Sequence, residues 1–229
     1  MKILVSWSSG KDSAWMLHVL NQQSPGAVAA LLTTVNEAYD RVAMHGVRTG
    51  VLRAQADAAG LPLITASIPS PCSNEVYEER MRGVVTRAIA DGFTHVAFGD
   101  LFLEDVRKYR EDRLAGTGLQ PLFPLWGKST AALAREMIAA GLEARLTCVD
   151  PRIVAADLAG RRFDLDLLAE LPADVDPCGE RGEFHSCVLD GPMFSTRIEA
   201  SVGEVVEREG FVFADLELQD GGRGPAASR

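Results

Sequence analysis

The chain has 229 residues, 47% hydrophobic and 24% charged, enough to bury a sizeable core without a metal or disulfide staple. Its net charge of −9 speaks against a broad nucleic-acid face, because phosphate backbones reward basic surfaces, and leaves room for a local basic pocket only. The four cysteines form no C-x-x-C pair and no run of about 18 apolar residues occurs, so neither a disulfide framework nor a membrane span is expected, and the expectation is a cytoplasmic protein.

Residues 3–5 form a short apolar run that reads as a buried strand. A turn of small hydroxyl residues follows, and residues 12–20 then read as a helix whose apolar face carries Trp15, Met16, Val19 and Leu20. Strands are expected at 28–34, 62–66 and 95–98, with helices at 50–59, ended by Gly60, and at 74–90, ended by Asp91 and Gly92. Beyond residue 109, the stretch 120–125 reads as a strand and crossover, and Ser129 as the cap of a helix running to Ala140. A strand at 144–149, a short helix at 164–170 and a strand pair at 202–206 and 210–218 complete the pattern. Between them, 176–194 is a dense stretch of acidic residues with an Arg, a His and two Cys. The alternation of strands and helices predicts an α/β fold with a parallel sheet, divided near Lys128 into units 1–128 and 129–220, with a disordered Gly/Pro/Ser-rich tail at 221–229.

Ligands of such sheets sit at the carboxyl ends of the strands. Three unusual segments fall there: SSGKDS after the first strand, NEAYDRVAMHGVR after the second and GDLFLEDVRKYR after the fourth. A strand-to-helix turn presents free backbone N–H groups that attract anions. Ser8, Ser9 and Ser13 add hydroxyl donors, Gly10 permits close approach and Lys11 adds a cation, so the turn reads as a phosphate cradle. It is neither a Walker A loop nor a G-x-G-x-x-G turn. The plainer alternative is a helix cap, with Asp12 placed well near the positive end of the helix dipole.

The hexapeptide at 8–13 resembles the PP-loop of the N-type ATP pyrophosphatases, usually SGGxDS, with Ser9 in place of Gly. The blocks at 99–114, 124–150 and 178–194 resemble successive blocks of the diphthine–ammonia ligase family, so the likeness runs from the first strand to about Phe194. It implies a HUP-type, Rossmann-like nucleotide-binding domain followed by a smaller α/β domain. The implied reaction is ATP-dependent: a substrate carboxylate is adenylated, pyrophosphate leaves, and ammonia displaces AMP. ATP and Mg²⁺ are the implied cofactors, and a small-molecule or protein-borne carboxylate and ammonia the implied partners. The Glu183–His185 block resembles the bacterial branch of the family; bacteria do not make diphthamide, so the implied substrate is a different one.

By that resemblance Ser8, Ser9, Gly10, Lys11, Asp12 and Ser13 surround the phosphates, and Thr33, Thr34 and Gly99 border the nucleotide; His45, by its place after the second strand, borders the nucleotide or the substrate, the plain alternative being a turn at Gly46 with Arg48 as a surface charge. Asp12 and Asp100 are the expected Mg²⁺ ligands, with orientation of ammonia the alternative role for Asp100. Glu104, Arg107 and Arg110 lie at i, i+3 spacing on one helix face after the fourth strand, where an Arg grips a carboxylate; the plain alternative is a solvated, salt-bridged helix. Glu180, Glu183 and His185 are further candidates, Glu180 for substrate and the other two for catalysis, with His185 as a base for ammonium or a satisfied structural group. The cysteines have poor zinc spacing and read as small buried hydrophobes. Two other functions remain open: a PP-loop sulfurtransferase, and a regulator that binds ATP without turnover. The C-terminal strands offer an edge for a homodimer.

Overall fold

The computed structural model describes residues 1–42 and 46–219. His45 and the tail 221–229, both singled out in the sequence, lie outside the described residues. The protein is α/β, with a mostly parallel sheet carrying helices and a smaller unit that also mixes helices and strands.

The first sheet contains β1 (Ile3–Ser6), β2 (Val28–Asn36), β3 (Arg41–Val42), β4 (Leu63–Ile68), β5 (His95–Ala97) and β6 (Gln120–Leu122). β1 sits between β2 and β5, both parallel to it; β6 extends the sheet beyond β5, and β4 pairs with β2. Only β3, a two-residue strand the sequence pattern did not predict, runs antiparallel. Alternation sorts the strands between two cores. Ile3 and Val5 join the large core, which includes α1 (Lys11–Gln23) and α2 (Thr49–Ala59). Leu4, Leu32, Val96 and Phe98 join a smaller core under α3 (Asn74–Ala90) and α4 (Glu104–Leu114).

After α5 (Thr130–Ala139), capped by Ser129 as predicted, the second sheet forms from β7 (Glu143–Val149), β8 (Phe184–Asp190), β9 (Ala200–Arg208) and β10 (Phe211–Leu218). Its order is β8-β7-β10-β9 and every pairing is antiparallel. A short helix, α6 (Leu165–Glu170), is capped by Asp164, whose carboxylate accepts the Leu167 amide at 2.9 Å. The large core runs without a break from Ile3 and Trp15 into Leu146, Phe163, Phe184 and Val188, so the two sheets share one interior. Among the described residues, no helix is long and apolar enough to cross a membrane.

An ion cluster also fastens the second sheet to the first. Asp215 on β10 takes Arg41 of β3 and Arg48, the residue before α2, with contacts from 2.5 to 3.1 Å. Burial opposes ionisation of Asp215, but the two guanidinium groups outweigh it and hold the carboxyl well below the usual range. The Asp215 side chain is only 12% exposed, so Asp215→Ala is expected to cost about 2 kcal/mol in chemical denaturation near neutral pH. A depressed folded pKa gives stability at neutral pH that disappears on acidification, so the difference between parent and variant should shrink as pH falls below the ordinary Asp range.

A phosphate-type loop clamped between the two sheets

α1 starts at Gly10, which contributes no side-chain cap. The first amides of any helix lack an intrahelical acceptor, and here no capping side chain at Gly10 supplies one. Ser9 reaches this start in a left-handed conformation, φ 71°. Its carbonyl oxygen accepts the Val188 amide at 3.0 Å and the Gln55 side chain at 3.1 Å. Ser8 and Ser13 face each other, Oγ to Oγ at 3.2 Å, and the Ser13 hydroxyl donates to the Gly10 carbonyl at 2.9 Å. Local and distant contacts together leave this loop one shape.

Two polar atoms in this turn have no hydrogen-bond partner although both are buried: Ser9 Oγ and Asp12 Oδ1. Buried polar atoms are nearly always paired, so these two ask for a ligand. Asp12 Oδ2 is taken by Lys11 Nζ at 2.8 Å, and Lys11 Nζ also donates to the Cys178 carbonyl. The Lys11 amide donates to Ser186 Oγ at 3.2 Å, and its ammonium lies 5.5 Å from the Phe184 ring centre. Burial works against the Lys11 charge, but Asp12 and Glu180 outweigh it and hold the ammonium above its ordinary range. Burial pushes the Asp12 carboxyl up against the pull of Lys11. The positive charge of the pair thus stays on Lys11.

Gly99 brings the end of β5 against this loop. A Cβ there would stand 3.0 Å from the Asp12 carbonyl carbon and 3.2 Å from the Ser13 amide. Asp100 follows, with both oxygens engaged by Arg110 at 2.5 and 3.1 Å. Thr33 is buried and donates to the Trp7 carbonyl at 2.7 Å, while Thr34 is half-buried beside it. Glu180 closes the far side. Its Oε1 accepts the Leu101 amide at 2.8 Å, and burial, with Asp12 and Asp100 nearby, pushes its carboxyl up to about 7.

The remaining candidates take other roles. Glu183 is buried, and its two oxygens accept the Asp176 amide at 3.1 Å and the Arg181 amide at 2.8 Å, so it shapes the loop that carries Glu180. Burial, then Lys11, lowers His185 to about 4, which keeps the imidazole neutral. Glu104 is exposed in the first turn of α4 and, among the described residues, has no hydrogen bond or ion pair with the loop. Arg107 and Arg110 take different partners despite their spacing: Arg107 pairs with Glu111 at 2.8 Å and lies over Phe123 and Trp126. Cys148, Cys178 and Cys187 are buried thiols pushed up to about 12.

Gln55 was not anticipated. It is fully buried on the apolar face of α2, accepts from Trp7 Nε1 at 2.9 Å and donates to Ser9 and Val188. A polar residue on an otherwise apolar helical face was its only signal in the sequence. Ser186 was likewise passed over, as part of a block in which His185 drew attention.

Family comparisons follow this geometry. A family model described as the diphthamide synthase N-terminal domain matches residues 1–121, and one described as the diphthamide synthase C-terminal domain matches 129–217. The chain belongs to the diphthamide synthase family. It is 30% identical to a diphthine–ammonia ligase of Danio rerio over 240 residues, covering 94% of this chain and 92% of that one. A diphthine–ammonia ligase of Homo sapiens is 26% identical over 246 residues, 94% of this chain and 89% of that one. The one from Schizosaccharomyces pombe is 27% identical over 231 residues, and there the chain spans only 37% of the relative's length. As a member of the diphthamide synthase family the chain is an enzyme, and the clamped loop, β5 end and Glu180 loop fall within the two matched regions.

Proposed function

We propose that the protein is an ATP-dependent amide ligase that activates a carboxylate as its adenylate and passes it to ammonia. The observation that carries this reading is the pair of buried, unpartnered atoms, Ser9 Oγ and Asp12 Oδ1, in a helix-start loop with a buried ammonium. The 8–13 loop holds the departing pyrophosphate through its amides, hydroxyls and Lys11. A carboxylate oxygen of the substrate bonds to the α-phosphorus and the bond to the β-phosphate oxygen breaks. Ammonia then bonds to the acyl carbon, AMP leaves with its oxygen, and the nitrogen loses a proton. Thr33, Thr34 and Gly99 border the nucleotide, and the division into 1–128 and 129–220 is part of the same reading.

Asp12 fits Mg²⁺ because one of its oxygens is free, whereas both oxygens of Asp100 are held by Arg110. Among the described residues, no group of three or more His, Cys, Asp or Glu is arranged to hold a metal. That suits an ion that takes most of its ligands from phosphate and water. When bound, Mg²⁺ neutralises phosphate charge. Asp100 instead fixes Arg110 beside the reaction centre.

Glu180, rather than His185, is the base in this proposal, since its carboxyl titrates near neutral pH and that of a neutral imidazole at about 4 does not serve. Amide formation should rise with pH through a midpoint near 7, and Glu180→Gln should flatten the profile. Stability runs the other way. The folded state keeps the Glu180 proton to about 7 and the unfolded chain releases it near 4.5, so raising pH across that window costs stability. Glu180→Gln, which retains an acceptor for Leu101, should therefore unfold at higher urea than the parent above pH 7 and not below 4.5. An unchanged rate profile in the variant removes Glu180 as the base.

The deciding assay is pyrophosphate release from ATP and Mg²⁺ with ammonium, over a panel of small carboxylic acids and, separately, a diphthine-bearing protein. Release that depends on one acid supports the ligase and identifies its substrate. Tight ATP binding with no release for any acid, accompanied by a nucleotide-dependent change of shape, rejects it in favour of a regulator. Cys148, Cys178 and Cys187 weigh against a sulfurtransferase, because buried thiols at about 12 are poor nucleophiles; Cys72, expected to be a buried hydrophobe, is instead only partly buried.

A further inference from the structure

A cavity of ≈ 190 Å³ opens between α3 and α4, on the sheet face opposite α1. Met81, Val85, Phe98 and Leu114 give it an apolar wall. Arg110 borders this cavity and holds Asp100, the neighbour of the glycine that packs on Asp12, so one side chain links the cavity wall to the end of β5. An apolar cavity of about 150 Å³ holds a benzene ring, so this one has room for a single ring or a short branched chain.

Its charges select what enters. Arg82, Arg110 and Arg113 border it. Arg110 is paired with Asp100 and Arg113 with Glu78, while Arg82 is exposed and has no ion-pair partner among the described residues. One positive charge is therefore in surplus. Two of its three aromatic rings already carry a cation: Arg110 lies 4.4 Å from the centre of the Phe98 ring and Arg113 5.2 Å from that of Tyr109. Tyr77 adds a hydroxyl donor at the wall, its pKa raised by burial and by Tyr109.

We propose that this cavity is the subsite for the acid that the enzyme activates, a small carboxylic acid with one compact apolar body, and that it excludes cations of the same shape. The proposal rests on the ligase reading. Arg82 supplies the charge that draws the carboxylate in, and the wall formed by Met81, Val85, Phe98 and Leu114 selects the body.

The intact protein, methyl-labelled, is titrated with phenylacetate and with benzyltrimethylammonium, and the Met81 and Val85 methyl resonances are followed. Phenylacetate should give saturable shifts, weakened about tenfold in Arg82→Ala, and the cation none. Val85→Trp, which fills the cavity, should abolish binding; Arg82 is exposed, so its variant reads the proposal even if the filled one does not fold. Equal response to the cation, unchanged affinity in Arg82→Ala, or no saturable shift at millimolar phenylacetate overturns the proposal. Acids that trigger pyrophosphate release without displacing phenylacetate also overturn it and leave the ligase reading intact. Binding of phenylacetate with no release for any acid overturns the ligase reading, while the ligand class of the cavity stands.

Discussion

Asp12→Ala should lower pyrophosphate release by at least about 100-fold, the scale seen when one preorganised electrostatic contact to a developing charge is removed. The same variant should be less stable than Lys11→Met, although both break one ion pair. The asymmetry comes from burial. The Lys11 side chain is 3% exposed and that of Asp12 26%. Removing Asp12 takes away the main charge that offsets the burial of Lys11, whose side chain has almost no solvent to turn to, at a cost of about 3 kcal/mol. Removing Lys11 leaves a carboxyl that burial has already pushed toward the protonated form, so it can shed its charge, and the orphaned Cys178 carbonyl costs about 1–2 kcal/mol. Urea midpoints of the two variants measure the difference. Equal midpoints would show that the difference in burial between the two side chains does not set the cost.

Gly99→Ala should cut turnover about 10- to 100-fold while the chain still folds. The added methyl would meet the Asp12 carbonyl carbon at 3.0 Å and the Asp12 oxygen at 3.1 Å, and both are backbone atoms that cannot swing aside. Either the end of β5 or the start of α1 moves by a few tenths of an ångström. That shift changes the spacing between Asp12 and Asp100, and misplacements of about 1 Å cost roughly 100-fold in well-aligned sites. The stability loss should stay within about 1–3 kcal/mol, the usual range for overpacking. Turnover and thermal unfolding measured on the same preparation separate the two effects; full activity in Gly99→Ala removes the close approach as a requirement.

What could be read from the sequence follows the range of the forces involved. The 8–13 turn was legible because it is local: a strand, small hydroxyl residues, then an amphipathic helix. The parallel sheet followed from alternation, and the Ser129 helix start from cap chemistry. β8 was not legible as a strand, because Phe184, Ser186, Cys187, Val188 and Leu189 are all buried and the two-residue alternation vanishes. Glu180 and Glu183 lie three residues apart in one motif and look equivalent. Only the fold shows that Glu183 is taken up by two backbone amides while Glu180 faces Lys11 and Asp100. The spacing of Arg107 and Arg110 gave a shared helix face, but Phe123 and Trp126, from a later segment, draw Arg107 away. Gln55 makes its contacts 46 and 133 residues away, beyond any local pattern.

The contacts from Val188, Ser186 and Cys178 to Ser9 and Lys11 have a consequence for how the protein comes to exist. During synthesis the first strand and helix emerge early and Gln55 soon after, but the Cys178, Ser186 and Val188 contacts to the loop between them arrive more than 160 residues later. A nascent chain therefore displays the motif without the means to hold it in shape. Grafting the hexapeptide alone onto another strand and helix should therefore not transfer pyrophosphate release.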